Sequence, residues 1–287
     1  MPTLKEIKGR IASVQNTLKI TSAMKLVSSA KLRKAQSAIE SMRPYQEKLQ
    51  EILALAAGDS DSVSSALLRS PVRVNAPETE SLSPVVNGTV IVAIASNSSL
   101  CGGFNANVIA KVKSVLAEHP GATVYSIGRK MADAMRKAGY PSPSDYSSLS
   151  EHPSYGPVSA MVDKFIEDGS EVLLVYNHFV STGKQVPVVE PLAQSFPGVS
   201  RESQEEAIIE PSRHELMASL YPKTLKIKLF AALLDSAAAE HAARTVAMQT
   251  ATDNGNELLS ELTLQYNKGR QQKITNEILD LAGGQAR

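Results

Sequence analysis

Apolar or small residues recur in alternating steps of three and four from the first turns of the chain: Leu4, Ile7, Ile11, Val14 and Leu18, then Leu32, Ala35, Ile39 and Met42, then Leu49, Leu53 and Ala56. This heptad pattern predicts one long helix with a continuous packing seam. Thr21, Lys25 and Ser28 keep the phase but are polar, so the seam includes a wet stretch that must accommodate something besides a simple partner helix. Thr3 followed by Glu6 has the form of a capping box at the helix start. Pro44 predicts a kink, and Gly58 predicts the end after Ala57. A second helical run extends from Ser212 to Gly283-Gly284, read as a short helix over Glu215 to Leu220 that restarts at Pro222. Its candidate seam is Phe230, Leu234, Ala237, His241, Arg244, Met248, Ala251, Gly255, Leu258 and Leu262, rich in small residues suited to close backbone approach. Each run makes a rod of about 80 to 90 Å. Two such rods at opposite ends of a chain can pair antiparallel, and a 3.5-residue period implies a left-handed supercoil.

The middle of the chain follows other rules. Residues 58–88 are rich in Ser, Pro and acids with little periodicity, which predicts a long connection. Beyond it, strands are predicted at Thr89 to Ala95, Ala122 to Ile127, Glu171 to Phe179 and Gln185 to Gln194. Helices are predicted at Asn105 to Glu118, up to Lys137, and Val158 to Glu167. Strand and helix alternating at this spacing indicate an open, Rossmann-like α/β domain with parallel pairs. The predicted fold class is therefore α/β: a long antiparallel coiled coil of terminal helices, residues 1–57 and 212–287, around a central domain at 89–211.

Net charge is +1, but residues 1–50 carry ten Lys and Arg against three acids, whereas residues 51–211 carry eleven against eighteen. A basic rod attached to an acidic domain points to an acidic partner surface. Nucleic acid fits poorly, because the first 40 residues contain no aromatic side chain for base stacking. Enzyme chemistry finds little support. The SSLCGGFN loop follows a strand and precedes a helix, where phosphate is cradled in α/β folds, yet it matches neither dinucleotide nor P-loop glycine spacing. The five histidines are scattered with no i, i+4 pair, so no metal site is expected. Cys101 reads as a small turn residue rather than a nucleophile, and alone it makes no internal disulfide. No apolar run approaches 18 residues, so the chain is not expected to span a membrane by its own sequence.

Three long stretches, LKEIKGRIASVQNTLKITSAMKLVSSAKLRKA, SSLCGGFN and EHAARTVAMQTATDNGNELLSELTLQYNKGRQQKITNEILDLAGG, together resemble the gamma subunits of F-type ATP synthases. The resemblance covers both ends and the central loop in family order. It implies a central-stalk rotor, without catalytic site or cofactor, that couples rotation of the membrane c-ring to ATP synthesis and hydrolysis at alpha and beta subunits. The implied partners are three alpha and three beta subunits, epsilon and the proton-translocating c-ring. By the same resemblance, Met24, Lys25, Arg270, Gln271 and Thr275 contact beta, and the tip formed by Ile278, Leu279, Leu281 and Ala282 turns in an apolar sleeve. The location implied is the cytoplasmic face of a bacterial inner membrane, as a peripheral subunit, or a mature organellar form. Many relatives place a charged residue or glycine before the Leu-Cys pair where this chain has Ser99, and the ending LDLAGGQAR also departs from the common form. The alternative reading is a basic coiled-coil adaptor with an α/β docking domain.

Overall fold

The computed structural model describes residues 3–57, 88–193, 210 and 212–284, with residues 57, 214 and 280–284 as helical backbone only. The predicted connection at 58–88 therefore lies almost wholly outside the described residues. In chain order the elements are α1 (Leu4–Ala57), β1 (Thr89–Ile94), α2 (Phe104–Glu118), β2 (Thr123–Ile127), α3 (Arg129–Lys137), α4 (Ser147–Glu151), α5 (Tyr155–Asp168), β3 (Glu171–Ser181), β4 (Lys184–Pro191) and α6 (Arg213–Gly284). They form two compact units, residues 1–30 with 244–287 and residues 31–243, and the two long helices contribute to both.

The capping box at the start of α1 is formed. The Thr3 amide donates to Glu6 Oε2 at 3.0 Å and the Glu6 amide to Thr3 Oγ1 at 3.3 Å, which satisfies two N–H groups that the first turn leaves open. Every member of the predicted α1 seam is buried or half-buried. The helix runs through Pro44 to Ala57 without interruption.

In the smaller unit α1 and α6 pack antiparallel. Thr252 Oγ1 donates to Thr21 Oγ1 at 2.9 Å, Gly255 faces Leu18, and Gly269 faces Leu4. Each step toward the start of α1 is thus matched by an equal step toward the end of α6, and this register sets Ile11 level with Leu262. The wet stretch in the seam is accounted for in part by the threonine pair, which satisfies two hydroxyls across the interface. The predicted α6 seam needs a correction beyond Met248. Ala251 and Leu258 are exposed, and the inward line is Thr252, Gly255, Leu259, Leu262 and Tyr266. An undistorted helix drifts from a strict heptad, and the polar Thr252 holds the inward position because its hydroxyl finds a partner.

A Cβ at Gly255 would lie 2.7 Å from Leu18 Cδ2, closer than real Cβ contacts come. Gly255→Leu therefore costs about 1 to 3 kcal/mol through overpacking, read as a lowered thermal midpoint. Adding Leu18→Ala returns part of that loss. A double variant no more stable than the single one would mean that the two helices are not in this register.

In the larger unit the sheet order is β2-β1-β3-β4, with β1 parallel to both β2 and β3 and β4 antiparallel to β3. Alternation along the strands sorts the core. Val90, Val92, Ile94, Val172, Leu174 and Tyr176 face α4, α5 and α6, while Ile91, Ala93, Val124 and Val175 face α2 and α3. The second helical run is also corrected here: α6 is one helix from Arg213, and Pro222 lies inside it. The missing amide and the ring cost roughly 3 kcal/mol in an unsupported helix. Here buried Met217, Tyr221 and Leu225 anchor the turns on both sides, and Thr224 Oγ1 donates to the Leu220 carbonyl.

Candidate functional site

The residues expected to contact partners all fall in the smaller unit, but the helices sort them into two clusters. Met24 and Lys25 are half-buried on α1, at the level of Met248 in the antiparallel register. Arg270, Gln271 and Thr275 lie on α6 about 30 Å farther along, at 1.5 Å per residue. The structure does not bring the two clusters together. It does group Gln271 with Thr275, which share a face one turn apart, and Thr275 Oγ1 donates to the Gln271 carbonyl at 3.0 Å.

Leu4 lies beside Gly269, so α6 continues past the start of α1 as a single helix. Each side chain from Arg270 to Leu279 is exposed, Ile278 by 59% and Leu279 by 63%. The side chains of Leu281 and Ala282 lie outside the described residues. The exposed Ile274, Ile278 and Leu279 on this helical end are costly unless another surface covers them.

Sequence reasoning missed further exposed apolar side chains beside Met24 and Lys25. Ile20, Leu26 and Val27 are 60%, 71% and 57% exposed on α1, and Leu264 is 72% exposed on α6. The signal for the three on α1 was available as apolar residues out of phase with the seam in KITSAMKLVSS.

In the larger unit, polar groups tie the sheet to α6. The Asp235 carboxylate on α6 takes a hydrogen bond from the Phe179 amide on β3 at 3.2 Å and pairs with His178 Nδ1. Burial pushes the Asp235 carboxyl up, and the His178 and Phe179 contacts oppose that shift. Lys228, lowered by burial, donates to the Pro191 carbonyl at the end of β4. Lys226 meets Asp163 of α5 at 2.6 Å. His178, Asp235, Lys228 and Pro191 line a cleft of about 440 Å³ that also includes Arg43, Tyr176 and Glu190. The arrangement suits a mechanical joint, since Asp235 and Lys228 of the helix hold His178, Phe179 and Pro191 at the ends of β3 and β4.

The glycine loop folds as a turn. Asn105 accepts from the Ser96 amide at 3.1 Å and donates to Cys101 Sγ at 3.2 Å. Cys101 and Phe104 pack on Ala239 and Ala243 of α6. The loop's polar groups are thus engaged with one another, and its apolar ones rest on the helix. Among the described residues no group of three or more His, Cys, Asp or Glu is placed to hold a metal ion. None of the described helices is long and apolar enough to cross a membrane.

A family model described as ATP synthase matches residues 3–286. The ATP synthase gamma chain of Phocaeicola vulgatus is 44% identical over 302 residues, covering 99% of each chain. Among solved structures, one from the Euglena gracilis mitochondrial ATP synthase, comprising OSCP, F1 and c-ring, superposes with a TM-score of 0.68 at 17% identity, covering 99% of this chain and 93% of that one. One from the central stalk and c-ring of the Tetrahymena thermophila mitochondrial ATP synthase gives 0.53 at 21% identity, covering 81% and 99%. At such identities the two structures speak to the fold.

Proposed function

The chain belongs to the ATP synthase gamma-chain family, the central-stalk rotors of F-type ATP synthases, and we propose that it acts through surfaces alone, with no catalytic site or cofactor of its own. In this reading the smaller unit turns inside a ring of three alpha and three beta subunits. Met24 and Lys25 run beside an acidic surface of beta, and Arg270, Gln271 and Thr275 meet beta at a second level. The tip from Ile278 through Ala282 turns in an apolar sleeve. The larger unit binds epsilon and the proton-carrying c-ring, so the chain is peripheral to the membrane through its partners, on the cytoplasmic face in a bacterium. The four-part organisation, 1–57, 58–88, 89–211 and 212–287, belongs to the same reading.

The observation that supports it most is the single helical end of α6, exposed on every described side from Arg270 to Leu279 yet carrying Ile274, Ile278 and Leu279. These apolar side chains form an exposed strip over about 140° of the helix, which a partner surface closing around this side would cover. The exposed Ile20 and Val27, two turns apart on α1, extend this apolar character to the level of Lys25.

Co-expression of the chain with its alpha and beta subunits tests the proposal. The expected product is an ATPase complex with one copy of this chain per three beta subunits, whose assembly weakens as salt screens the basic face of α1. A chain that stays apart from alpha and beta, and is recovered with an unrelated partner, would return the adaptor reading.

A further inference from the structure

The two sides of the sheet in the larger unit carry opposite charge. On one side α4 and α5 hold Lys164 against Glu151, Asp163, Glu167 and Asp168. On the other, α2 and α3 hold Lys111, Lys113, Arg129, Lys130, Arg136 and Lys137 against Glu118 and Asp133. On the acidic side Leu225, Leu229 and Leu233 of α6 share the core of α5 and Lys226 pairs with Asp163, while Glu151, Lys164, Glu167 and Asp168 stay exposed. Among the described residues the basic side is open as well. Lys113, Arg129, Lys130, Arg136 and Lys137 are exposed, and Met131 and Met135 are fully buried, which fixes the outward direction of the α3 cations. Asp133 pairs with Arg136 at 3.3 Å, and among the described residues Lys113, Lys130 and Lys137 form no ion pair.

The face also lacks what a protein partner needs. None of the exposed large apolar side chains among the described residues lies on α2 or α3. Stable protein interfaces depend on buried apolar or aromatic anchors ringed by polar groups. A plane of anionic headgroups, by contrast, is held by charge alone, and a cluster of four or more Lys and Arg on an amphipathic helix is its sequence mark. We propose that the outward face of α2 and α3 docks against the anionic phospholipid headgroups of a bilayer. The membrane contact is then partly direct, in addition to any contact through the c-ring, and it does not depend on the assignments to beta.

The test uses the purified full chain with vesicles of phosphatidylcholine, with and without phosphatidylglycerol, followed by sedimentation. The chain binds only the vesicles containing phosphatidylglycerol and is released at 1 M salt, where the screening length falls to about 3 Å. Each cation near an anionic surface contributes about fivefold to binding, so Lys130→Glu with Lys137→Glu, which removes two cations and adds two anions, lowers it by at least about 25-fold. Lys130→Arg with Lys137→Arg keeps it, and an equal reversal on the rod, Lys8→Glu with Arg10→Glu, leaves it within about twofold, because binding by this face does not use the rod. No binding, equal binding to neutral vesicles, or a rod reversal as damaging as the α3 reversal each overturns the proposal. So does an α3 reversal that lowers the thermal midpoint while vesicle binding is absent, since the cations would then be engaged within the chain.

Discussion

Replacing Arg270 and Gln271 together by alanine lowers the ATPase turnover of the assembled complex about ten- to a hundredfold and leaves its subunit composition unchanged. The expectation starts from geometry: α6 outruns α1 at Gly269, so these two side chains project from an unpaired helix and are free to engage a partner. A guanidinium can hold a carboxylate through two parallel hydrogen bonds, and a neighbouring amide can both donate and accept. A charge-assisted contact of this kind contributes about 1.5 to 3 kcal/mol. If it forms at some rotor angles and not at others, that energy enters the barrier and changes the rate by one to two powers of ten. Alanine keeps the helix, so assembly has no reason to suffer. Thr275 supplies an internal comparison. Its hydroxyl is already given to the Gln271 carbonyl, so Thr275→Ala should change turnover by less than about fivefold, given the modest worth of one neutral hydrogen bond. Complexes of the double variant with unchanged turnover and unchanged proton pumping would leave shape alone as the means by which the helix transmits torque.

The α1 helix was legible because one side of it is packed. Ile7, Leu32, Leu49, Leu53 and Ala56 are buried at the predicted phase, and the capping box formed at the predicted start. The α6 helix was harder to read because its surroundings change along its length. Between Leu225 and Ala243 it touches the sheet core, α1 and the glycine loop in turn, so Leu229, Leu233, Ala239 and Ala242 are buried on several sides and no single seam stands out. Pro222 was read as a break because its local cost is visible in sequence, whereas the packing of Met217 and Tyr221 that offsets it is tertiary. The antiparallel β4 depends on the turn at Thr182 and Gly183, and short apolar runs say little about strand direction. The residues proposed to face partners came from resemblance to a family, since an exposed Arg270 has no periodic signature. The exposed Ile20, Leu26 and Val27 went unnoticed for a related reason: a heptad reading discards apolar residues that fall out of phase, and those are the ones the packed seam leaves in water.

Gly128→Ala has the largest effect on stability of any substitution at a described glycine. Gly128 is the single residue between the end of β2 and the start of α3, and it turns the chain with φ 97° and ψ 138°, a conformation that side chains with a Cβ rarely adopt. An added Cβ would stand 2.1 Å from the Ala95 carbonyl oxygen and 2.8 Å from its carbon. Neither chain can yield easily. The Ala95 amide donates to Ile127 at 2.9 Å, its carbonyl receives Ser150 Oγ at 2.8 Å, and the Lys130 amide donates to Ser96 across the same crossing. Asn97 adds two more ties, accepting from the Arg129 amide and donating to the Ser147 carbonyl. Backbone strain of about 1 to 3 kcal/mol and overpacking of about 1 to 3 kcal/mol combine to roughly 2 to 6 kcal/mol. That is a large share of the roughly 5 to 15 kcal/mol by which a domain is stable, and it corresponds to a fall in thermal midpoint on the order of 10 °C. Gly121→Ala is the comparison, because a Cβ there meets nothing within 4 Å. Its midpoint should stay within about 3 °C of the unaltered chain, since the expected gain or loss is below about 1 kcal/mol. If the two variants melt together, the crossing of β1 over the β2–α3 turn is looser than these contacts require, and the sheet is not the rigid base from which α6 is held.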